Sequence, residues 1–164
     1  MPTVSASRII AAPQERVWAA LADIQNAGRW NAHWTRMEIT SPQTEGEGTT
    51  FRAHTDQGQA FDFRVARWEP PHCIAFAPIR DESERYELAL DSHTFFLYPA
   101  SEVHTRVELV AAATARGIRG RLTGLLLWPG YQKRGLNTAL DALQGLLEPA
   151  PEDEAEPETQ AATD

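Results

Sequence analysis

Cysteine occurs once, at Cys73, which excludes an internal disulfide and offers no metal framework. Long apolar runs are missing as well. The longest, Val17 to Ala22, has six residues and three of them are alanine, far short of the roughly 20 needed to cross a bilayer. The opening Met1-Pro2-Thr3-Val4 has neither the basic region nor the apolar block of a secretion signal. The cytoplasm is therefore the expected compartment. There is no surplus of positive charge. The net charge of −8 belongs mostly to residues 148–164, which hold seven acids and no base. Without them 16 acidic residues stand against 15 basic ones. A nearly neutral body lacks the positive surface that displaces counterions from nucleic acid, so no nucleic-acid partner is expected.

Catalytic signatures are scarce too. The sequence holds no nucleophile elbow, no phosphate-cradling loop and no HExxH helix. Gly117-Ile118-Arg119-Gly120 and the following Gly124 are glycine-spaced, but they match no phosphate-loop pattern. They fit close helix packing or a mobile helix start. No cofactor is expected.

What the chain does contain is enough apolar residue, 42% of 164, for one ordinary domain. The expected domain covers residues 1–147. The remainder, 148–164, has three prolines and no large apolar residue, and is expected to be a disordered acidic tail. A docking tail and a simple solvated end are both compatible with that composition.

Residues 3–11 alternate and favour small and β-branched types, which predicts a strand. Pro13 suits the start of a helix over 13–22, with Val17, Trp18, Leu21 and Ile24 at helical spacing. A second short helix is expected over 23–30. Six strands follow, over 35–41, 48–55, 60–68, 72–78, 88–98 and 103–113, separated by Gly- and Pro-rich turns. Short connections between consecutive strands imply an antiparallel meander.

From Gly117 the pattern turns helical. Ile118, Leu122, Leu125, Pro129, Gln132, Leu136, Leu140, Leu143 and Leu147 fall on one stripe, with a mean step of about 3.6. Its ends are aliphatic, but Pro129 and Gln132 in its middle are not. Two readings remain: a cavity faces the middle of the helix, or proline kinks it.

The stretch Ser5-Ala6-Ser7-Arg8-Ile9-Ile10-Ala11-Ala12-Pro13, followed by Val17-Trp18, Leu21 and Asp23, resembles the opening of the START-related superfamily. That superfamily is often labelled SRPBCC, and the likeness is to its polyketide cyclase/dehydrase branch. Trp30, Glu69-Pro70-Pro71 and Leu136–Leu143 resemble later family positions. The likeness spans about residues 3–147. One departure is the loop Pro99-Ala100-Ser101, where many relatives carry a Gly-Gly-Thr turn. The resemblance implies an α+β helix-grip fold. In it a curved antiparallel sheet of about seven strands wraps a long C-terminal helix, with two short helices after the first strand. It also implies a cavity between sheet and helix, and a monomer or weak homodimer.

On that fold the aromatic inventory becomes informative. Trp30, Phe51, Phe61, Phe63, Phe76, Phe95, Trp128 and Tyr131 fall on elements that would line or close the cavity. Gln132, with Tyr131, would supply polar groups there. The alternative is that the rings fill the core, since each can bury roughly 150–250 Å². The five histidines show no ligand spacing, so no metal site is expected. Only His33, at the mouth, and His93, in a buried-looking strand, are candidates for acid–base work, with Tyr131 as a third. A hydrogen-bonded structural role competes with this for both histidines. Cys73 is expected to be a buried, inert thiol.

Three functions follow as expectations. The first is binding of a small hydrophobic or aromatic molecule, lipid- or polyketide-like. The second is a polyketide cyclase or dehydratase using the same cavity. The third is a co-chaperone-like domain that docks a protein through its surface.

Overall fold

The computed structural model describes residues 2–80 and 87–148; the tail expected beyond Glu148 lies outside the described residues. Strand β1 (Thr3–Ile10) leads into helix α1 (Gln14–Ala22) and a 3₁₀ helix (Ile24–Arg29). Six strands follow: β2 (Trp34–Ile39), β3 (Thr50–Thr55), β4 (Ala60–Glu69), β5 (Cys73–Pro78), β6 (Leu88–Pro99) and β7 (Thr105–Ala115). Two helices, α2 (Gly117–Leu126) and α3 (Trp128–Leu147), are the last elements among the described residues. This is the α+β helix-grip arrangement anticipated from the sequence.

The sheet runs β1-β7-β6-β5-β4-β3-β2, with every neighbour antiparallel. Strands β2 to β7 form the meander that short turns dictate. The two short helices carry the chain from one sheet edge, β1, to the other, β2. Alternation sets the inner face. Val4, Ala6 and Ile10 of β1, Val107, Leu109, Ala111 and Ala113 of β7, and Phe95 and Leu97 of β6 all bury inward. Leu136, Leu140, Leu143 and Leu147 of α3 pack onto that face. Helix α1 closes one end through Val17 and Leu21, both fully buried. Buried Gln14 fixes its start by donating to the Leu97 carbonyl at 3.1 Å and meeting His72 Nδ1 at 3.0 Å.

The end of α3 is clipped back onto β1. Arg8 donates twice to Oδ1 of Asp141, at 2.9 and 2.6 Å. Glu148, counted with the tail from sequence, instead accepts the Ala11 N–H at 3.0 Å and the Gln144 amide at 2.9 Å. The Gln144 bond and then the Ala11 bond hold its carboxyl below the ordinary pKa.

One expectation changes. The helical stretch after Gly117 is not continuous: α2 ends at Leu126 and α3 begins at Trp128, with Leu127 between them. Pro129 falls in the first turn of α3, where its missing N–H leaves no helical bond unmade. The break also takes Ile118, Leu122 and Leu125 off the core. They are 88%, 56% and 74% exposed, while Gly120 and Gly124 form the buried face of α2. A Cβ on Gly120 would lie 2.0 Å from the Glu87 carbonyl oxygen. The glycine spacing therefore lets α2 lie directly on backbone, and the leucines point the other way.

Candidate ligand cavity

Strand pairing opens the sheet beside α3. The β5–β6 ladder ends at the pair Phe76–His93, and β5 finishes two residues later at Pro78, which has no N–H to donate. On the other side of β6 a register shift between Leu90 and Ser92 leaves Asp91 as the extra residue opposite β7. Such a bulge reverses the parity of the strand. His93 and Phe95 face inward beyond it, and Leu88 and Leu90 face inward before it; all four line one cavity. Asp91, turned elsewhere, accepts from Thr114 Oγ1 at 2.8 Å and stands 4.0 Å from Arg80.

The cavity measures about 1010 Å³ and opens to solvent. Its sheet wall comes from β4, β5, β6 and β7, its helix wall from Tyr131 to Ala139 of α3, and its lip from residues 30–34. The aromatic wall is a connected set. Trp30 lies 5.3 Å from Phe95, 5.8 Å from Trp34 and 6.2 Å from Phe76 between ring centres. Trp34 in turn lies 5.2 Å from Phe63. The Trp30 indole N–H donates to the Ala20 carbonyl at 3.2 Å, so its polar edge is satisfied away from the cavity and its ring is left as an apolar surface.

Of the residues nominated from sequence, Trp30, Phe61, Phe63, Phe76, Phe95, Tyr131, Gln132, His33 and His93 all border the cavity. Phe51 and Trp128 do not. Phe51 is fully buried and sits behind the wall, 5.6 Å from Phe63 and 5.8 Å from Phe76. Trp128 is buried at the start of α3. Both are core residues, because strand parity and helix phase give facing but not depth. Sequence reasoning missed Leu88, Leu90, Leu109, Leu136, Ala139 and two arginines, Arg80 and Arg134. The alternation of Leu88 and Leu90 was the available signal, concealed by the bulge that follows.

Two histidines border this space in different settings. His33 is exposed at the lip, its backbone N–H held by Asn31 Oδ1 at 3.2 Å. His93 is deep. Its Nε2 is buried and has no hydrogen-bond partner among the described residues. Burial lowers its pKa below 6.5, and hydrogen bonding with the Gln132 side chain acts in the opposite direction. A neutral imidazole carries one donor and one acceptor nitrogen. It therefore offers a single unsatisfied polar point on an aromatic wall. Cys73 is buried, and burial raises its pKa, which keeps it a thiol. Among the described residues no cluster of His, Cys, Asp and Glu could hold a metal ion.

Known structures share this architecture. The chain resembles the di-domain ARO/CYC BexL from the BE-7585A biosynthetic pathway at 18% identity and TM-score 0.70, covering 88% of this chain but only 46% of that one. It resembles the Zhui aromatase/cyclase from Streptomyces sp. R1128 at 20% identity and TM-score 0.66, covering 88% and 92%. The Aha1 dimer from Colwellia psychrerythraea matches at 18% identity and TM-score 0.66, covering 90% and 97%. At such identities these likenesses concern the fold. No curated protein matches the sequence. A family model does, and it extends from the first strand to the residue that caps α3. By that match over residues 1–148, the chain belongs to the family described as polyketide cyclase / dehydrase and lipid transport.

Proposed function

We propose that the chain binds a small hydrophobic molecule, ring-bearing and carrying a hydroxyl or carbonyl group, in the cavity between sheet and α3. The observation that carries this reading is the buried, unpartnered Nε2 of His93 beside the aromatic cluster of a wall that also carries Asp62, Arg80, Gln132 and Arg134. A buried polar atom without a partner costs roughly 1–3 kcal/mol, and a ligand hydroxyl or carbonyl would recover that. The volume is at the upper end of the roughly 300–1,000 Å³ common for small-ligand pockets. Rings of Trp30, Trp34, Phe63, Phe76 and Phe95 suit a flat apolar ligand.

Mass spectrometry of natively purified protein tests this. One apolar molecule per chain is expected, released on denaturation and depleted in His93→Phe. A bare chain, with no uptake from a panel of naphthols and fatty acids, would overturn it.

A second reading is favoured by the same imidazole. Neutral at pH 7, it could take a proton from a carbon beside a ketone while that carbon bonds to a second carbonyl, and return it to the alkoxide so formed. Removal of the second proton from the same carbon then forms the C=C bond and breaks the C–O bond, and the ring hands that proton to the departing hydroxyl, which leaves as water. This is cyclisation with dehydration, and the cavity would contribute by orienting the chain. Turnover of a poly-β-ketone that His93→Ala abolishes and Tyr131→Phe or His33→Ala leaves intact would favour it over simple binding.

A further inference from the structure

Four large apolar side chains crowd the outer surface of α2. Ile118, Leu122, Leu125 and Leu126 are each between 56% and 88% exposed. A single exposed leucine is ordinary, but a contiguous group marks a surface meant to be covered. On a helical wheel of about 100° per residue, Ile118, Leu122, Leu125 and Leu126 form one arc. Arg119 and Arg121 flank its two sides, and Gly120 and Gly124 lie opposite, against the body.

Charge follows part of the same surface. From Leu109 to Leu140 the chain has five bases, Arg116, Arg119, Arg121, Lys133 and Arg134, and no acid. Arg119 and Arg121 border the arc, whereas Lys133 lines a separate hollow with Ser5, Arg8 and Glu108. None of the five forms an ion pair with a described residue. An apolar arc bordered by long cationic side chains is the pattern of a helix that lies in the interface of an anionic bilayer. Its leucines enter the acyl boundary and its arginines reach the headgroups. No helix of the described residues is long and apolar enough to span a membrane.

We propose that α2 forms a docking face for an anionic membrane surface. Other occupants fit less well. Residues 149–164 are acidic but include no large apolar side chain to cover the leucines. A second copy placed face to face would set the bordering Arg119 and Arg121 against the same pair of cations. A bilayer with anionic headgroups satisfies both the apolar centre and the basic border. The docking claim stands on the surface alone and does not depend on the ligand reading.

Flotation of the full chain with vesicles tests it. Binding is expected to phosphatidylcholine vesicles containing phosphatidylglycerol, with far less to phosphatidylcholine alone, and with loss at high salt. Leu125→Asp with Leu126→Asp should reduce partitioning at least tenfold. Arg119→Gln with Arg121→Gln should reduce it by about 30-fold, at a factor of roughly five per cation near such a surface. All these side chains are exposed, so melting should change little; if the aspartate pair fails to fold, the glutamine pair carries the test. No binding to anionic vesicles, or binding that both pairs leave unchanged, would overturn the proposal. A dimer that the aspartate pair disperses, with no vesicle binding, would also overturn it and assign the face to a second copy. Apolar-probe uptake measured in parallel separates the two claims: uptake without vesicle binding defeats only the docking face.

Discussion

Gln132 in α3 and His93 in β6 meet across the cavity, and the amide is the influence that opposes burial on the imidazole. The helix that grips the sheet therefore reaches its one deep titratable ring through a single polar residue. The position of Gln132 also explains the lapse in the apolar stripe that runs on through Leu136, Leu140, Leu143 and Leu147. The lapse falls where α3 faces open space, and Gln132 is half-buried on the cavity wall.

Gln132→Leu extends that stripe into the cavity. Stability should hold level or rise by about 1 kcal/mol, as apolar area replaces a half-buried amide. Affinity for a polar-tipped apolar ligand should fall roughly tenfold, which matches the loss of one hydrogen bond of about 1.4 kcal/mol. Calorimetric titration alongside melting separates the two effects.

Acid should unfold the protein partly through His93. Its folded-state pKa is lowered from 6.5, so the unfolded chain takes the proton first as pH falls. The neutral ring's contribution is complete above about 6.5 and is lost as pH drops below that, with a slope of at most ~1.4 kcal/mol per pH unit. Denaturant titrations between pH 7.5 and about 4.5 should show this slope in the wild type and its disappearance in His93→Leu. Parallel slopes in the two proteins would contradict the buried-neutral assignment.

Two glycine substitutions in helices should act in opposite directions. Gly120→Ala places a methyl 2.0 Å from the Glu87 carbonyl oxygen and should cost about 1–3 kcal/mol by lifting α2. Gly145→Ala, with nothing within 4 Å, should stabilise by up to ~1 kcal/mol through helix preference. Equal effects would mean that α2 does not rest on the β6 entry.

Phe51 and Phe61 divide the core from the cavity wall. Phe51 is fully buried and Phe61 is 48% exposed. Phe51→Ala should cost about 3–5 kcal/mol. Phe61→Ala should cost far less while weakening probe binding, since Phe61 borders the cavity and Phe51 does not.

The sheet was legible because its signals are local. Val103 to Ala113 alternates, and the structure pairs Thr105–Ala115 with two neighbours and buries its odd positions through Ala113. For His93 and Phe95 the sequence indicates only a buried-looking strand, not which of its faces lines the cavity. What could not be read depended on single backbone events. The bulge at Asp91 reverses parity inside one strand, so Leu88 and Leu90 joined the wall unannounced. The break at Leu127 detaches α2 from the helical phase of α3, so a stripe that looked continuous divides into a buried half and an exposed half. Trp128 and Phe51 show the remaining gap, because hydrophobic periodicity separates inside from outside but does not distinguish wall from filling.

The most direct test of the ligand cavity is a titration with an anilinonaphthalene sulfonate probe. It would compare the wild type, Ala139→Trp and the Leu125→Asp/Leu126→Asp pair. Ala139 borders the cavity from α3, so an indole there would project into it and obstruct it, whereas the aspartate pair removes only the outer apolar face. The account predicts one saturable site per chain in the wild type. It also predicts that the site is retained in the aspartate pair and lost in a folded Ala139→Trp. Binding that survives Ala139→Trp and disappears with the aspartate pair would place the probe on the outer surface and contradict a ligand cavity.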